Sequence, residues 1–443
     1  MVNLFHSFSK IKPQKVLVVG DLILDTYTVG KVRRISPEAP VVILQVQYEE
    51  NRPGGAGNVA LNLVSMGMDV AVLGRVGNDE YGKNLLEALA VEKISTVGVV
   101  TQQAYPTPVK NRVIADNQQI VRVDREQVTQ LTEQLEKQVI EKVSTILEGV
   151  SLIAISDYGK GFITKTLMSA MIGRAKELGI QVIVDPKGAD FSIYRGANVV
   201  KPNVSEFYAA ANLPMDASLE QAATRIFETT QSEVILTTRS EEGISLFYSD
   251  GKREDFPVRI REVKDVTGAG DTVLAMLSCA AANGLSIAEG AQLSNIAAGI
   301  AIERFGCARI TLAELARRLL YEDVSNKLFD EEHLPTLQEA LKGRRYATLE
   351  VSGQQGLTTP IFSAIRKLGQ RDNWDLLVYV NDLQPCNEFI DVLSSLHEVD
   401  YLINNSSTLQ RLCANNSREE VYIIVDGKLK KGVSCLGEKS IVG

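Results

Sequence analysis

Short apolar runs alternate with longer segments of helical periodicity over most of the chain, and this alternation constrains the fold more than any other feature. The first run, at 15–20, reads KVLVVG and ends in Gly-Asp. It predicts the first strand of a parallel sheet. The later segments continue the pattern, with strands predicted at 152–155, 182–184, 199–200, 234–237 and 244–248 and helices at 164–178 and 219–229. Repeated βαβ units predict an α/β fold, in which a mostly parallel sheet carries helices on both faces.

Two further segments do not fit that sheet because one side of each is polar. Residues 41–48 partly alternate, and residues 109–124 are typical of a hairpin that turns near Asp116 and Asn117. We therefore expect a small separate β sheet beside the main one, in the position of a lid.

The acidic and polar stretch at 321–335, which ends in Pro335, is the best candidate for a domain boundary. A shorter α/β pattern follows it, with strands predicted at 347–351, 376–380, 401–403 and 421–425. We predict a first domain over 1–325 and a second, smaller α/β domain over 336–443.

Composition excludes several function classes. The chain has 443 residues and a formal net charge of −8, which argues against nucleic acid as a partner. It has 5 Cys, an odd number, and no CxxC pair, so neither a disulfide framework nor a zinc site is expected. Residues 1–10 contain no apolar segment of signal-peptide length, and no run of 18 apolar residues occurs in the sequence. We expect a soluble, cytoplasmic protein with no membrane partner.

The segment DVTGAGDT at 265–272 carries the strongest chemical signal. Gly268 and Gly270 allow a tight turn whose N–H groups converge, and the helix that follows adds positive potential. Such a turn can hold the oxygens of a transferring phosphoryl group, and Asp271 can take the proton of an attacking hydroxyl. The alternative is an N-capping aspartate on a glycine turn, which a lone GAGD would favour.

Two other glycine segments resemble nucleotide motifs without their context. GxGxxA can be read at 55–60, but the polar residues 49–53 precede it rather than a buried strand, so a sugar-binding turn is favoured over a dinucleotide fingerprint. Residues 77–84 resemble a P-loop, but Asn84 replaces the hydroxyl residue and the loop is acidic. We predict an ordinary loop and helix start there.

Polar residues follow three predicted strands, where α/β folds place ligands. Asp185-Pro186-Lys187 follows one strand, and the segment Asn203-Val-Ser-Glu206 follows the next. Asn203 and Glu206 could hold a hydrated magnesium ion, although N-x-x-E is also a capping box. Thr237-Thr-Arg239 and Gly243 follow another strand and could meet a nucleotide.

Taken in order, these segments resemble the ribokinase-like carbohydrate kinases. The resemblance is closest to the D-glycero-D-manno-heptose 7-phosphate kinases, the N-terminal half of bifunctional enzymes that make ADP-heptose for lipopolysaccharide, and it spans residues 15 to about 315. The matching stretches are ISPEAPV (35–41), PGGAGNVALNL (53–63), NQQIVRVD (117–124), SDYGKG (156–161), VDPKGADFSIYRGA (184–197), KPNVSEF (201–207), TTRSEEGISLF (237–247) and DVTGAGDT (265–272).

The resemblance implies ATP-dependent phosphorylation of the heptose 7-phosphate at its C1 hydroxyl, with Mg²⁺, and it leaves open a monovalent cation. It implies a homodimer joined through the lid. The roles implied for single residues are Asp271 as base; Gly268, Ala269 and Gly270 as anion hole; Asn203, Val204, Ser205, Glu206, Arg239 and Gly243 on the ATP and magnesium side; Asp21, Gly54, Gly55 and Asn58 on the sugar; and Lys110, Arg112, Lys160 and Lys187 at the 7-phosphate.

The C-terminal part departs from the family, whose nucleotidyltransferase domain carries HxGH in the loop after its first strand. Here Leu357 and Pro360 stand at the histidine positions, and His397 is better explained as an ordinary residue than as a replacement. We predict a degenerate domain that keeps the fold and has lost adenylyl transfer. The alternatives for the whole chain are a kinase for another phosphorylated sugar and a non-catalytic scaffold.

Overall fold

The structure, a computed structural model, describes residues 4–116, 118–258, 263–323, 327–354, 356–382, 386–414 and 419–432. Its contacts define two compact units: a larger unit, Ile11–Thr311, and a smaller unit, formed by Leu312–Gly443 together with Met1–Lys10. The domain limits 1–325 and 336–443 remain a prediction.

The described elements follow the expected alternation. The strands are β1 (Lys15–Gly20), β2 (Leu22–Ile35), β3 (Val42–Gly55), β4 (Asp69–Gly77), β5 (Ser95–Gln102), β6 (Val109–Ala115), β7 (Gln118–Arg125), β8 (Leu152–Ser156), β9 (Gln181–Asp185), β10 (Val199–Val200), β11 (Val234–Thr238), β12 (Ile244–Tyr248), β13 (Arg253–Phe256), β14 (Arg345–Val351), β15 (Trp374–Val380), β16 (Tyr401–Ile403), β17 (Glu419–Val425) and β18 (Lys428–Lys431). The helices are α1 (Leu4–Ser9), α2 (Ala56–Ser65), α3 (Glu80–Val91), α4 (Glu133–Ile146), α5 (Lys165–Leu178), α6 (Val204–Ala211), α7 (Leu219–Thr230), α8 (Ala269–Ala282), α9 (Ile287–Ile302), α10 (Leu312–Asp323), α11 (Leu334–Ala340), α12 (Thr359–Gly369), α13 (Asn387–Ser395) and α14 (Ser406–Ala414).

The main sheet of the larger unit has nine strands in the order β13-β12-β11-β10-β9-β8-β1-β4-β5. β1 lies between β4 and β8 and is parallel to both, whereas β12 and β13 are antiparallel additions at one edge. Val16 to Val19 are fully buried, as expected of a strand covered on both faces. This topology confirms the α/β class, and it brings the carboxyl ends of β8 to β11 to one edge.

The lid is a second sheet of four strands in the order β3-β2-β6-β7. This confirms the separate small sheet, and β6 and β7 form the hairpin that was expected around residue 116; Asn117 lies outside the described residues. One expectation was wrong: β3 runs without interruption through residues 49–53 to Gly55, and α2 begins at Ala56. The glycine turn therefore does follow a strand, but that strand belongs to the antiparallel lid pair β2–β3, not to a βαβ unit.

Two other local expectations can be compared with the structure. The P-loop-like segment is a helix start, as predicted, because the Asp79 side chain caps α3 by accepting the N–H of Gly82. The helical spacing of residues 127–148 predicts a helix there, and α4 begins within it at Glu133, where the Thr132 side chain accepts the N–H of Leu135 and so caps the first turn.

The smaller unit has its own sheet of five strands in the order β16-β15-β14-β17-β18. β14 is parallel to β15 and β17, and only β18 is antiparallel. Apolar residues of α12 and α13 pack on this sheet in a separate core. In the part of the chain that the structure describes, none of the helices combines the length and the apolar character needed to cross a membrane.

Candidate active site

Asp271 lies in the first turn of α8, and Gly268 makes that position possible. Gly268 is the N-cap residue with φ 80°, in the left-handed region that favours glycine. A Cβ placed there would lie 3.1 Å from Asn58 Nδ2 and 3.2 Å from Cys307 Sγ, so a larger residue would displace the neighbours of the site. Gly268 therefore allows α8 to begin with its N-terminus next to Asn58 of α2.

The carboxylate of Asp271 is buried and held at both oxygens. Oδ2 accepts a hydrogen bond from Asn58 Nδ2 at 2.7 Å, and Oδ1 accepts one from the Tyr158 hydroxyl at 2.6 Å. Burial raises the pKa of Asp271, while these two hydrogen bonds and the charge of Lys201 act in the opposite direction. A desolvated carboxylate with a raised pKa is a better proton acceptor than one in water.

A positive charge stands beside the turn of Gly268 to Gly270. A Cβ on Gly270 would lie 3.8 Å from Lys201 Nζ. Lys201 is 2% exposed and pairs with Asp185, with Nζ 2.8 Å from Oδ2. First-turn N–H groups of a helix have no intrahelical partner, so the turn and the ammonium together can hold an anion next to Asp271.

Asp21 organises the loop that follows β8. Its Oδ2 accepts the N–H groups of Tyr158 and Lys160 at 3.0 and 2.9 Å, and its Oδ1 accepts the N–H of Phe162 at 3.2 Å. Gly55 packs against the same residue, because a Cβ there would lie 2.6 Å from the Asp21 carbonyl oxygen. The structure therefore gives Asp21 a clear task in shaping the site, and its predicted contact with the sugar stays a prediction.

Two cations of the lid strand β6 face this region. Arg112 Nη1 pairs with Asp25 Oδ1 at 2.6 Å, and Gly54 lies against the same carboxylate. Lys110 Nζ lies 6.0 Å from the ring centroid of Tyr158. Within the described residues Lys110 has no ion-pair partner, so its ammonium is available to a ligand near Asp271.

Each of the other two predicted phosphate ligands is paired with a carboxylate. Lys160 is 9% exposed and pairs with Glu126 at 2.9 Å. Lys187 pairs with Glu206 at 2.7 Å, which places it among the residues expected to meet the nucleotide. Of these four cations, Lys110 alone has no ion-pair partner within the described residues.

The residues expected on the ATP side do meet at adjacent strand ends. Asn203 and Glu206 form a capping box at the start of α6, which confirms that interpretation of N-x-x-E; their role toward magnesium stays a prediction. Asn203 pairs with Thr238 as an isolated bridge, which brings Arg239 beside it. The Arg239 N–H donates to the Gly243 carbonyl at 2.8 Å.

This donor set fits a hydrated magnesium ion and a nucleotide. Magnesium usually keeps several waters and takes one or two carboxylates together with substrate phosphates, and Glu206 offers one carboxylate beside the Asn203 amide. Across the described residues no group of three His, Cys, Asp or Glu side chains could hold a metal by itself. Arg239 Nε is buried without a hydrogen-bond partner among those residues, and its Nη atoms pair with Glu242 and Asp255.

Sequence reasoning placed Asp185 at a strand end but gave no role to Tyr158 or Lys201, which also belong to the site. All three follow buried strands of the main sheet, at or just beyond the carboxyl ends of β8, β10 and β9. Burial raises the pKa of Asp185 to about 6, against the lowering effect of Lys201. A polar residue directly after a buried parallel strand was the signal that could have found them.

The smaller unit has a cleft of its own, of about 780 Å³, at the carboxyl ends of β14 and β15. Asp382 lies in it, with Oδ1 2.8 Å from the Ser352 hydroxyl and Oδ2 2.5 Å from the Gly353 N–H. The two loops that form it, 352–360 and 381–388, contain no Lys, Arg or His in their sequence.

A nine-stranded α/β sheet with a β lid and a buried aspartate at a helix N-terminus defines a sugar kinase of the ribokinase fold. Residues 13–314 match the model described as pfkB family carbohydrate kinase. The protein belongs to this family and is a carbohydrate kinase.

Among curated proteins, the chain is 44% identical over 344 residues to the bifunctional protein HldE of Trichlorobacter lovleyi, a match that covers 76% of this chain and 70% of that protein. It is 45% identical over 322 residues to the HldE of Geobacter sulfurreducens, covering 72% and 66%. Roughly a third of each relative's length therefore lies outside the match.

Solved structures share the fold at low identity. Phosphofructokinase-2 from Escherichia coli in complex with potassium is 21% identical with a TM-score of 0.57, covering 70% of this chain and 99% of that one. Arabidopsis thaliana ribokinase complexed with ribose and ATP is 18% identical with a TM-score of 0.54, covering 70% and 99%. These similarities confirm the ribokinase-like fold and extend no further.

Proposed function

We propose that the protein transfers the γ-phosphoryl group of ATP to the C1 hydroxyl of D-glycero-D-manno-heptose 7-phosphate, giving the 1,7-bisphosphate for ADP-heptose and lipopolysaccharide synthesis. The observation that carries the proposal is the buried Asp271 carboxylate beside the glycine turn and Lys201. A general base, an anion hole and a fixed cation then meet at one point, which is what phosphoryl transfer requires.

In the proposed step Asp271 takes the proton of the C1 hydroxyl while the oxygen forms its bond to the γ-phosphorus. The bond from that phosphorus to the bridging oxygen breaks, and ADP leaves with the electron pair. The N–H groups of Gly268 to Gly270 and the Lys201 ammonium stabilise the equatorial oxygens. Asp271 later releases its proton to solvent as the product departs.

ATP and Mg²⁺ are the proposed cofactors, held on the side of Asn203, Glu206 and Arg239. Magnesium, when bound, neutralises phosphate charge as the bond to the leaving oxygen breaks. The capping box orients the Glu206 carboxylate, and the Lys187 pair keeps it from turning away. A monovalent cation is a further proposal, suggested by the potassium complex of a protein of similar fold.

The choice of a phosphorylated heptose rests on charge and on the relatives. Lys110 offers a cation close to Tyr158 and Asp271, and Arg112 lies on the same strand. Such cations suit a sugar that carries its own phosphate. The curated relatives at 44% and 45% identity are both named bifunctional protein HldE, which fits the heptose kinase branch that the motifs resemble.

The test is ADP formation from ATP with a panel of phosphorylated heptoses, hexoses and pentoses and their unphosphorylated forms. We expect the highest kcat/KM with the heptose 7-phosphate. A higher value with another sugar phosphate would favour the alternative kinase, and no turnover with any sugar would favour the scaffold.

For the smaller unit we propose loss of adenylyl transfer, with a remaining role in stability, association or regulation. The support is the cleft around Asp382, whose two loops carry no cation for nucleotide phosphates. Pyrophosphate release from ATP and heptose 1-phosphate is the assay, and robust release by the full chain would contradict the proposal. If the smaller unit has lost this activity, a separate protein has to complete adenylylation.

A homodimer through the lid is the proposed assembly. Large apolar side chains are exposed on the lid strands, among them Val46 at 50%, Tyr48 at 55% and Val123 at 54%. A second copy that covers these side chains would remove an exposed apolar patch from water. Light scattering after size exclusion should give twice the mass of the chain, and V46K/V123K should give the monomer.

A further inference from the structure

Tyr158 and Asp271 arrive at the site from different parts of the fold. Tyr158 follows β8, and Asp271 is in the first turn of α8, 113 positions further along the chain. Their side chains meet in a hydrogen bond of 2.6 Å between the phenol and Oδ1. The family resemblance assigned Tyr158 no role, and no other described hydrogen bond uses its hydroxyl.

We propose that Tyr158 is a positioning residue for the general base: its phenol fixes the Asp271 carboxylate in the orientation that receives the proton of the sugar hydroxyl. This proposal rests on the proposed function, since it takes Asp271 as the base. Asn58 holds Oδ2 and Tyr158 holds Oδ1, so the plane of the carboxylate is set by one donor on each oxygen. Each oxygen keeps a second lone pair, and a hydroxyl can still bind there.

The backbone of Tyr158 is itself held in place. Its N–H donates to Asp21 Oδ2 at 3.0 Å, and the Lys110 ammonium lies 6.0 Å from its ring centroid. Because the backbone of Tyr158 is held by Asp21, its hydroxyl can hold the Asp271 carboxylate in one orientation. This gives the Asp21 hydrogen bonds a consequence for catalysis, because they place the loop that carries the phenol.

The phenol stays protonated and therefore remains a donor at neutral pH. Burial and then the charge of Asp271 raise the pKa of Tyr158 well above its usual value. A hydrogen bond to the ionised form lowers the pKa of a carboxylic acid, and Tyr158 acts on Asp271 in this direction, against the larger effect of burial. Without the phenol, the pKa of Asp271 should rise further.

Other charged and titratable groups face Asp271, and they would stay unchanged in a test of Tyr158. Lys201 lowers the pKa of Asp271 and Asp25 raises it. Asp185 and Cys307 also interact with the Asp271 charge. Because these groups lie on other elements, a shift caused by Tyr158→Phe would report the lost hydrogen bond alone.

The experiment compares Tyr158→Phe with the unsubstituted full chain, using the best sugar of the panel. We expect kcat to fall about 10²-fold, as for a base displaced from its productive position. In the pH profile of kcat, the acidic limb should move to higher pH by about one unit, because the ionised form of Asp271 then forms only at higher pH. The KM for ATP should stay unchanged, since the ATP side is held by other strands.

Tyr422→Phe in the smaller unit is the matched control. The Tyr422 hydroxyl also donates to a carboxylate at 2.6 Å, that of Glu420, so the control loses the same kind of hydrogen bond far from Asp271 in sequence. We expect an unchanged kcat profile. Site-specific 3-fluorotyrosine at 158 is the second arm: it keeps the packing and strengthens the donor, so the acidic limb should move to lower pH.

Two results would overturn the positioning role. One is a Tyr158→Phe enzyme whose acidic limb coincides with that of the unsubstituted chain, whatever its kcat. The other is a 3-fluorotyrosine enzyme whose limb does not move, and this arm decides the matter if Tyr158→Phe does not fold. Asp271→Asn is assayed in parallel, and turnover by that variant rejects Asp271 as base. If Asp271→Asn is inactive but the acidic limb of the Tyr158 variants does not move, only the role of Tyr158 is rejected.

Discussion

The two units each place an aspartate beside a glycine near the carboxyl ends of parallel strands, yet the surroundings of the two carboxylates differ. Asp271 in the larger unit has Lys201 and a helix N-terminus beside it. Asp382 in the smaller unit uses both oxygens to hold its own loops, through Ser352 and Gly353. The loops around Asp382 carry no basic residue in their sequence.

The difference shows that a parallel sheet supplies a location for a site but not its chemistry. Backbone geometry brings loop residues together at the carboxyl edge in both units. Phosphoryl and nucleotidyl transfer also require fixed positive charge where negative charge develops. Only the larger unit presents such charge in the loops described, and three pairs of substitutions can test this contrast.

The largest expected effect comes from the same substitution made in both units. Asp271→Asn should lower kcat by about 10³-fold, or about 4 kcal/mol in the activation free energy, because the general base is lost. ATP binding, measured by calorimetry, should be nearly unchanged. Asp382→Asn is the matched control, and its kinase turnover should equal that of the unsubstituted chain.

A large loss of kinase turnover in Asp382→Asn would break the contrast, because the smaller unit would then take part in the reaction. Retained turnover in Asp271→Asn would remove the base from the mechanism. Both variants replace a carboxylate by an amide of the same shape, so a difference between them reflects charge and position rather than packing.

The second prediction separates two lysines that the sequence could not tell apart. Lys110→Ala should raise the KM for the sugar phosphate by about thirtyfold, since a hydrogen bond to a charged group contributes about 2 kcal/mol. Its KM for ATP should not change. Lys187→Ala should instead raise the KM for ATP, because Lys187 pairs with Glu206.

Steady-state titrations of each substrate at a saturating level of the other provide the measurement. Equal effects of both substitutions on the sugar phosphate would return Lys187 to the phosphate site and contradict the division seen in the structure. The unphosphorylated sugar serves as a control for Lys110→Ala, because its KM should be unaffected.

Much of the fold was predictable because periodicity and turn chemistry are local. The apolar run at 15–20 and the alternation after residue 152 predict the parallel sheet. The segments with one polar side, 41–48 and 109–124, predict the lid. The turn of Gly268 was readable because a helix start with φ near 80° requires glycine. The continuation of β3 to Gly55 was missed because polar residues 49–53 suggest a loop, while pairing with β2 overrides that local preference.

The partners within the site were less predictable because they depend on tertiary contacts. Tyr158 and Asp271 lie 113 positions apart, and no local pattern shows that their side chains meet. Lys110 and Lys187 have the same chemistry in the sequence, and only their ion-pair partners separate them. Sequence reasoning could therefore name a candidate base, but not the side chains that contact it.

The smallest expected effect concerns stability, and it has opposite signs in the two units. Burial raises the pKa of Asp157 to about 6, above its unfolded value, so its contribution to stability is lost as pH rises from about 4 through 6. Asp157→Asn should therefore gain stability relative to the unsubstituted chain as pH rises from 4 to 7. In the smaller unit, Lys431 and then Tyr422 lower the pKa of Glu420 to about 2.

The contribution of Glu420 is therefore present above its unfolded pKa and is lost as pH falls through about 2. Glu420→Gln should lower stability at pH 7 by about 0.5 kcal/mol, and the difference should shrink on acidification. Scanning calorimetry of both variants at pH 4 and pH 7 measures the two signs together. The same sign in both units would mean that burial does not disfavour the charged form of Asp157.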